Sequence, residues 1–272
     1  MNTQREQLIQ TWLITVLRSD RFEISYLAGD ASFRRYARVT LDHKSFMLMD
    51  APPEKEDCVP FVRIDEFLDQ HQVRVPHIVA KDLDAGFLLL EDFGDVLLSN
   101  LLNADTVDQY YLQSFKQLIQ LQAIDGTQAL PAYSHQKLMT EMRLLTDWMF
   151  PALDIQLNDA EHVLVENTFD LLANSALAQP QVIVHRDFHS RNLMKINDDT
   201  ELGVIDFQDA VIGADTYDLI SITRDAYVQW NAERVYRWFK MFYDLLPAAS
   251  KQDRDFEQFK KDADMMAIQR HI

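Results

Sequence analysis

Residues 182–206 constrain the chain more than any other stretch. They read VIVHRDFHSRNLMKINDDTELGVID, two short apolar runs that each end in polar residues. Val182 to Val184 leads straight into His185-Arg186-Asp187, and Leu202 to Ile205 leads into Asp206. Apolar runs this short, bounded by polar turn residues, read as buried strands. A fold that brings their ends together gathers oxygen-bearing side chains in one place. Asp187 is suited to accept the proton of a hydroxyl or to orient that hydroxyl. Asn192, five residues later, and Asp206 offer the hard oxygens that Mg²⁺ takes beside phosphate groups. The spacing H-x-D-x-x-x-x-N, followed by a strand that ends in Asp, is an arrangement used for phosphoryl transfer. Without that context the three residues are ordinary strand-end and turn residues. The strand before them and the Asp after them favour the chemical reading.

Composition narrows the setting. A chain of 272 residues accommodates one large domain or two lobes sharing a cleft. Its net charge of −17 argues against broad nucleic-acid binding, which needs a basic face. The single cysteine, Cys58, excludes an intrachain disulfide framework and fits a reducing compartment. No apolar run approaches the length of a membrane span. The run Trp12 to Leu17 lacks a small-residue cleavage site, so it reads as part of a helix and not as a signal peptide. The expectation is a cytoplasmic protein with neither a membrane nor a nucleic acid as partner.

Taken in order, residues 1–18 read as a helix with Leu8, Trp12 and Thr15-Val16 on one side. Phe33 to Leu41 and Phe46 to Met49 read as strands around an Asp42-His43 turn. Before them, Ala28-Gly29-Asp30-Ala31-Ser32 is a small-residue turn whose backbone N–H groups suit close approach to phosphate, though a plain hairpin turn fits too. Phe61, Ile64 and Leu68 mark a helix face that ends before Val75-Pro76. His77 to Ala80 and Gly86 to Leu90 complete a small antiparallel sheet. The chain then crosses, near Glu91 to Asn100, to a mostly helical half. Asp92-Phe93-Gly94 spells a magnesium-binding triplet, but it precedes the His185 stretch that such an Asp must follow. Asp92 therefore reads as a hinge or surface residue, and Asp206 takes the metal role. In the second half, Asp105 is the expected cap of a helix to about Ile124. Tyr133 to Phe150 is a helix stopped by Pro151, and Asn158 with Glu161 forms a capping box opening a helix to about Ala178. Asp215 to Trp230 and Ala232 to Leu246 read as two more.

These residues resemble a known family, the aminoglycoside phosphotransferase and choline kinase group, small-molecule relatives of the protein kinases. The resemblance rests on Gly29 to Tyr36, Met49 to Cys58, Leu90 to Asp95, His185 to Asn192 and Val204 to Ala210. Within the group it is closest to kinases that phosphorylate the anomeric hydroxyl of N-acetylmuramate and N-acetylglucosamine in bacterial cell-wall recycling. It implies an α+β fold with a β-sheet lobe over residues 1–95 and a helical lobe over 96–272. It also implies ATP and Mg²⁺ as cofactors and a small sugar as substrate. The expected catalytic residue is Asp187, with Asn192 and Asp206 on the metal. Gly29, Asp30, Ala31, Ser32, Arg34, Glu91 and Phe93 are expected at the nucleotide. His189, Glu141, Arg191, Trp148 and Arg224 are candidates for the sugar, where a carboxylate accepts hydroxyl bonds and an indole stacks on a ring.

Two departures stand out. Kinases place a Lys on the third strand to hold phosphates, and here that position is Met49, with Lys44, Lys55, Arg34 or Arg35 as replacements. The chain also stops at Ile272 within an unfinished helix, as a truncated chain does. The alternatives are another small-alcohol kinase, for an aminoglycoside, choline or homoserine, and a non-catalytic nucleotide-binding protein. A protein kinase is disfavoured, because no A-P-E sequence follows Asp206 and His189 stands where the catalytic-loop Lys usually does. His185 reads as support for the loop, and Asp218 with Arg224 as an ion pair behind it.

Overall fold

The structure, a computed structural model, describes residues 3–28, 33–196 and 201–272. The chain divides into two compact units, Met1–Gly94 and Asp95–Ile272.

The first unit begins with helix α1 (Thr3–Leu17), followed by strands β1 (Glu23–Tyr26), β2 (Arg35–Leu41) and β3 (Lys44–Asp50). Helix α2 (Val59–Gln70) and strands β4 (Ile78–Asp82) and β5 (Phe87–Glu91) complete it. The strands form one antiparallel sheet in the order β1-β2-β3-β5-β4. The β2–β3 hairpin turns where expected, with Asp42 at φ +53° and Leu41 opposite Lys44. One sheet face, Ala37, Val39, Leu48, Phe87 and Leu89, packs against Ile9 and Leu13 of α1. The buried side of α1 is thus Ile9, Trp12, Leu13 and Val16, an i, i+3, i+4, i+7 set; Leu8 is exposed, contrary to the sequence reading. Burying Ile9 and Leu13 stabilises the unit by about 1.5–3 kcal/mol each. Strand β1 was not anticipated. It is mostly exposed and gains its conformation by pairing with the edge of β2, so its own side chains carry little signal.

In α2, Phe61, Ile64 and Leu68 are buried as expected, together with Val62 and Asp65. Gly86 is required by space: its φ is +72°, and a Cβ there would lie 1.9 Å from the Ala51 carbonyl oxygen.

The second unit opens with a 3₁₀ turn (Leu98–Asn100) and helix α3 (Val107–Gln122), whose Val107, Tyr111, Leu118 and Leu121 are buried as expected. Asp105 is not its cap. Thr106 holds the cap position without a side-chain cap bond, and Asn103 Oδ1 closes the turn before it by accepting the N–H groups of Asp105 and Thr106, at 2.9 and 3.2 Å. Helix α4 (His135–Met142) is capped by Ser134 and gives way to a π-helical turn (Leu145–Met149) and a short α5 (Phe150–Ala152). Pro151 therefore does not stop the run. The π turn ends one helix before it, leaving Pro151 in the first turn of the next, where a missing N–H costs nothing. Helix α6 (Asp159–Ala178) carries the Asn158–Glu161 capping box. Strands β6 (Gln181–Val184), β7 (Leu193–Lys195), β8 (Leu202–Val204) and β9 (Val211–Ala214) form two antiparallel pairs, β6 with β9 and β7 with β8. Helix α7 (Tyr217–Thr223) ends well short of Trp230. There the Asp225 carboxylate accepts the N–H of Tyr227 at 2.8 Å, turning the chain away from helix. Helices α8 (Ala232–Leu245), α9 (Ala248–Lys251) and α10 (Phe256–His271) follow, and α10 packs on α6 and α7.

Candidate functional site

The apolar strand β6 ends at Val184, immediately before His185, and β8 ends at Val204, immediately before Ile205-Asp206. The two strands belong to different pairs, so their ends need a link, and His185 supplies it. Its Nε2–H donates to the Ile205 carbonyl at 3.0 Å, and its Nδ1 accepts the Asp187 N–H at 3.2 Å. That pattern needs the neutral ring, with one donor and one acceptor nitrogen. Burial pushes its pKa down to about 4, outweighing the nearby carboxylates of Asp187 and Asp206, so the ring stays neutral at pH 7. The intervening turn is closed by His189 N–H to Asp187 O and Asn192 N–H to His189 O, both 2.9 Å, and Ile205 N–H donates to Asn192 O at 3.1 Å.

Asn192 joins the other two residues. Its Nδ2 donates to the Asp187 carbonyl at 3.1 Å and to Asp206 Oδ2 at 3.2 Å. Asp206 is exposed, and its Oδ1 accepts from Gln208 at 2.8 Å. The structure thus brings Asp187, Asn192 and Asp206 together around one turn. Arg186 and Asp206 both have positive φ, +77° and +67°. For residues with a Cβ this costs on the order of 1–3 kcal/mol each.

What holds the turn was missed by sequence reasoning. Asp218, fully buried in α7, accepts the backbone N–H of His185 at 2.6 Å and of Arg186 at 3.1 Å. Burial pushes its pKa up to about 7 despite these two bonds. Asp225 accepts the Ser190 N–H at 2.9 Å. The usable signal was a lone acid inside the apolar run Tyr217 to Ile222. Asp218 does not pair with Arg224, as the sequence suggested. Arg224 reaches Asp264 of α10 at 3.1 Å and lies over the Tyr236 and Phe239 rings. Asp264 and the two rings hold the Arg224 guanidinium, while Asp218 turns its oxygens to the backbone of the loop.

The sugar candidates separate. Glu141 is engaged within the protein: Oε1 accepts from Arg186 at 2.8 Å and Oε2 from the Tyr133 hydroxyl, while Arg186 lies 5.2 Å from the Tyr133 ring centroid. Its role here is to tie α4 to the turn. His189 packs edge-on against Tyr227, with 5.2 Å between centroids, and its buried Nδ1 has no partner among the described residues. Arg191 lies over the same tyrosine ring, 4.5 Å from its centroid. Trp148, on the π turn, is 74% exposed.

In the first unit, Gly29, Asp30, Ala31 and Ser32 lie outside the described residues. Arg34 closes on Glu56 at 2.7 Å. Glu91 is doubly committed: its carboxylate takes both terminal nitrogens of Arg74, and its N–H donates to His77 O at 2.8 Å. The Phe93 ring is covered by the Arg74 guanidinium, 4.7 Å away. Asp92 is not a surface residue; its side chain is 2% exposed, receiving Arg38 at 2.6 Å and the Gly94 N–H at 2.9 Å. Met49 is buried. Of its proposed replacements, Arg35 closes on Asp50 and Lys55 lies 5.1 Å from the Phe33 ring centroid, while Lys44 is exposed.

Residues 23–252 match the phosphotransferase enzyme family. A protein of Pseudomonas putida named N-acetylmuramate/N-acetylglucosamine kinase is 40% identical over 90% of this chain and 72% of its own length. Among solved structures, choline kinase from Cryptosporidium parvum matches with a TM-score of 0.69 at 13% identity, over 98% of this chain and 87% of that one. The ADP-bound aminoglycoside phosphotransferase APH(2'')-Ib matches with a TM-score of 0.64 at 14% identity, over 99% and 98%. The fold is therefore the two-part α+β architecture of these kinases, and the chain belongs to the phosphotransferase enzyme family.

Proposed function

We propose that the chain is an ATP-dependent kinase that phosphorylates the anomeric hydroxyl of an N-acetylated amino sugar, N-acetylmuramate or N-acetylglucosamine. The observation that carries the reading is the convergence of Asp187, Asn192 and Asp206 on one turn, in a chain 40% identical to a kinase named for those sugars. In this reading Asp187 takes the proton of the sugar hydroxyl as its oxygen bonds to the γ-phosphorus and the bond to ADP breaks. The neutral His185 keeps the Asp187 backbone in place, and Asp218 holds the two residues before it.

Asn192 and Asp206 are the residues that would hold Mg²⁺. Their donor set fits: Asp206 is an exposed carboxylate, and the Asn192 amide directs its nitrogen to Asp187 and Asp206, leaving its oxygen as the remaining ligand atom. When bound, the ion supplies neutralisation of the phosphate charge. A kinase that draws on ATP and a recovered sugar works in the cytoplasm.

The test is incubation with ATP, Mg²⁺ and each sugar, with the product located by phosphorus NMR. A phosphate on the anomeric oxygen is expected, and Asp187→Ala is expected to lower kcat about 10²–10⁴-fold with the Tm unchanged. No anomeric phosphate from either sugar rejects the substrate, and an unimpaired Asp187→Ala rejects the mechanism.

A further inference from the structure

We propose that Arg270, together with Nδ1 of His189, forms a subsite beside the Asp187 turn that binds a carboxylate on the acceptor. The inference rests on the sugar-kinase reading and names the part of that site which tells its two candidate sugars apart.

The argument begins with charge. In a chain of net charge −17, acids are plentiful, and the half-buried arginines of the second unit close on them. Arg186 meets Glu141, Arg224 meets Asp264, and Arg254 meets both Asp215 and Asp262. Arg270, in the last turn of α10, is half-buried too, yet among the described residues it closes no ion pair and makes no side-chain hydrogen bond. Its guanidinium lies 5.3 Å from the ring centroid of Tyr217 instead. A cation on an aromatic face keeps all its N–H donors available.

Its position is set by what Tyr217 adjoins. The next residue is Asp218, whose carboxylate holds the backbone of His185 and Arg186, immediately before Asp187. The charge of Arg270 is felt by both Asp218 and His189. His189 is built into that turn, because its N–H donates to the Asp187 carbonyl. Among the described residues its buried Nδ1 has no hydrogen-bond partner, an arrangement that costs free energy until a ligand supplies one. An imidazole nitrogen in this position can carry a donor proton. A guanidinium fork and a ring N–H flanking one turn suit an anionic, planar group, and a carboxylate matches the fork in two bonds.

The two sugars named for the relative differ in this respect. N-acetylmuramate carries a lactyl ether with a carboxylate, and N-acetylglucosamine has a hydroxyl there. Arg270 should therefore contribute to one substrate and be idle for the other.

The experiment measures kcat/KM for both sugars with the wild-type chain, Arg270→Gln, Arg270→Ala and Arg270→Lys, with the Tm of each. Loss of a charge-assisted contact is expected to lower the N-acetylmuramate to N-acetylglucosamine ratio about 10- to 100-fold in Arg270→Gln and Arg270→Ala. Arg270→Lys should recover part of it, since charge is kept and the fork is lost. Equal losses on both sugars, or an unchanged ratio, overturn the subsite while leaving the kinase intact. If Arg270→Ala fails to fold, Arg270→Gln, of similar length and polarity, decides the matter. Should the wild-type chain phosphorylate neither sugar, the underlying reading falls and takes the subsite with it.

Discussion

The two units use their carboxylates differently. In the first, acids close on arginines at strand ends: Asp50 receives Arg5 and Arg35, Asp92 receives Arg38, and Glu91 receives Arg74. Around the Asp187 turn, Asp218 and Asp225 close on backbone N–H groups instead. A side-chain pair clips together two strands whose conformation the sheet already dictates. A carboxylate that accepts from the backbone does something the sheet cannot. It stabilises a turn in which Arg186 and Asp206 sit at positive φ, and it leaves the Asp206 carboxylate exposed. Rigidity in the first unit is thus a property of the frame, whereas in the second it is directed at one loop.

The largest expected effect breaks this difference at its centre. Asp218→Ala leaves two buried N–H groups without acceptors, at about 1–3 kcal/mol each, and releases the strained backbone before Asp187. Chemical denaturation should show a loss of about 2–5 kcal/mol, and kcat should fall with it. A variant with native stability would mean that the carboxylate is dispensable to the turn.

A smaller effect comes from a buried acid of the first unit that follows neither pattern. Asp65 is 2% exposed, and its Oδ2 has no partner among the described residues. Burial, then the charges of Asp69 and Glu66, push its pKa up to about 7. The folded chain therefore holds this proton more tightly than the unfolded chain, whose carboxyl titrates near 4. Stability from this group is present below about pH 4 and is lost as pH rises to about 7. Asp65→Asn should raise stability by roughly 2 kcal/mol at pH 8 and change it little at pH 4. Equal Tm differences at the two pH values would assign the effect to packing and not to charge.

The smallest effect sharpens the first-unit pattern. Arg34 and Glu56 are 15% and 22% exposed, and their pair is 2.7 Å long. A double-mutant cycle with alanine at both should return a coupling of about 1 kcal/mol or less, shrinking in high salt. A coupling of several kcal/mol would make this pair an anchor comparable to Asp218.

Much of the fold was legible because its signals are local. The apolar runs at Val182 and Leu202, the Asp42 turn and the Asn158–Glu161 capping box all formed as read. Elements that failed were those decided by distant partners. Strand β1 exists because β2 offers an edge, and the segment after Thr223 leaves the helix because Asp225 is engaged with Ser190. In the site, the spacing of Asp187, Asn192 and Asp206 could be read from the sequence, but the commitments of Glu141 and Arg224 could not.

The sequence alone determined which side chains reach the turn, since spacing along a strand and across a short loop is set within a few residues. Only the tertiary structure decided which of the chain's many acids meets which donor. Glu141 and Arg186 are 45 residues apart, Asp218 and His185 are 33 apart, and no local rule favours them over nearer candidates. Packing of α4, α7 and α10 around the turn makes that choice. It gives Arg186 a carboxylate and leaves Arg270 stacked on Tyr217, without one among the described residues.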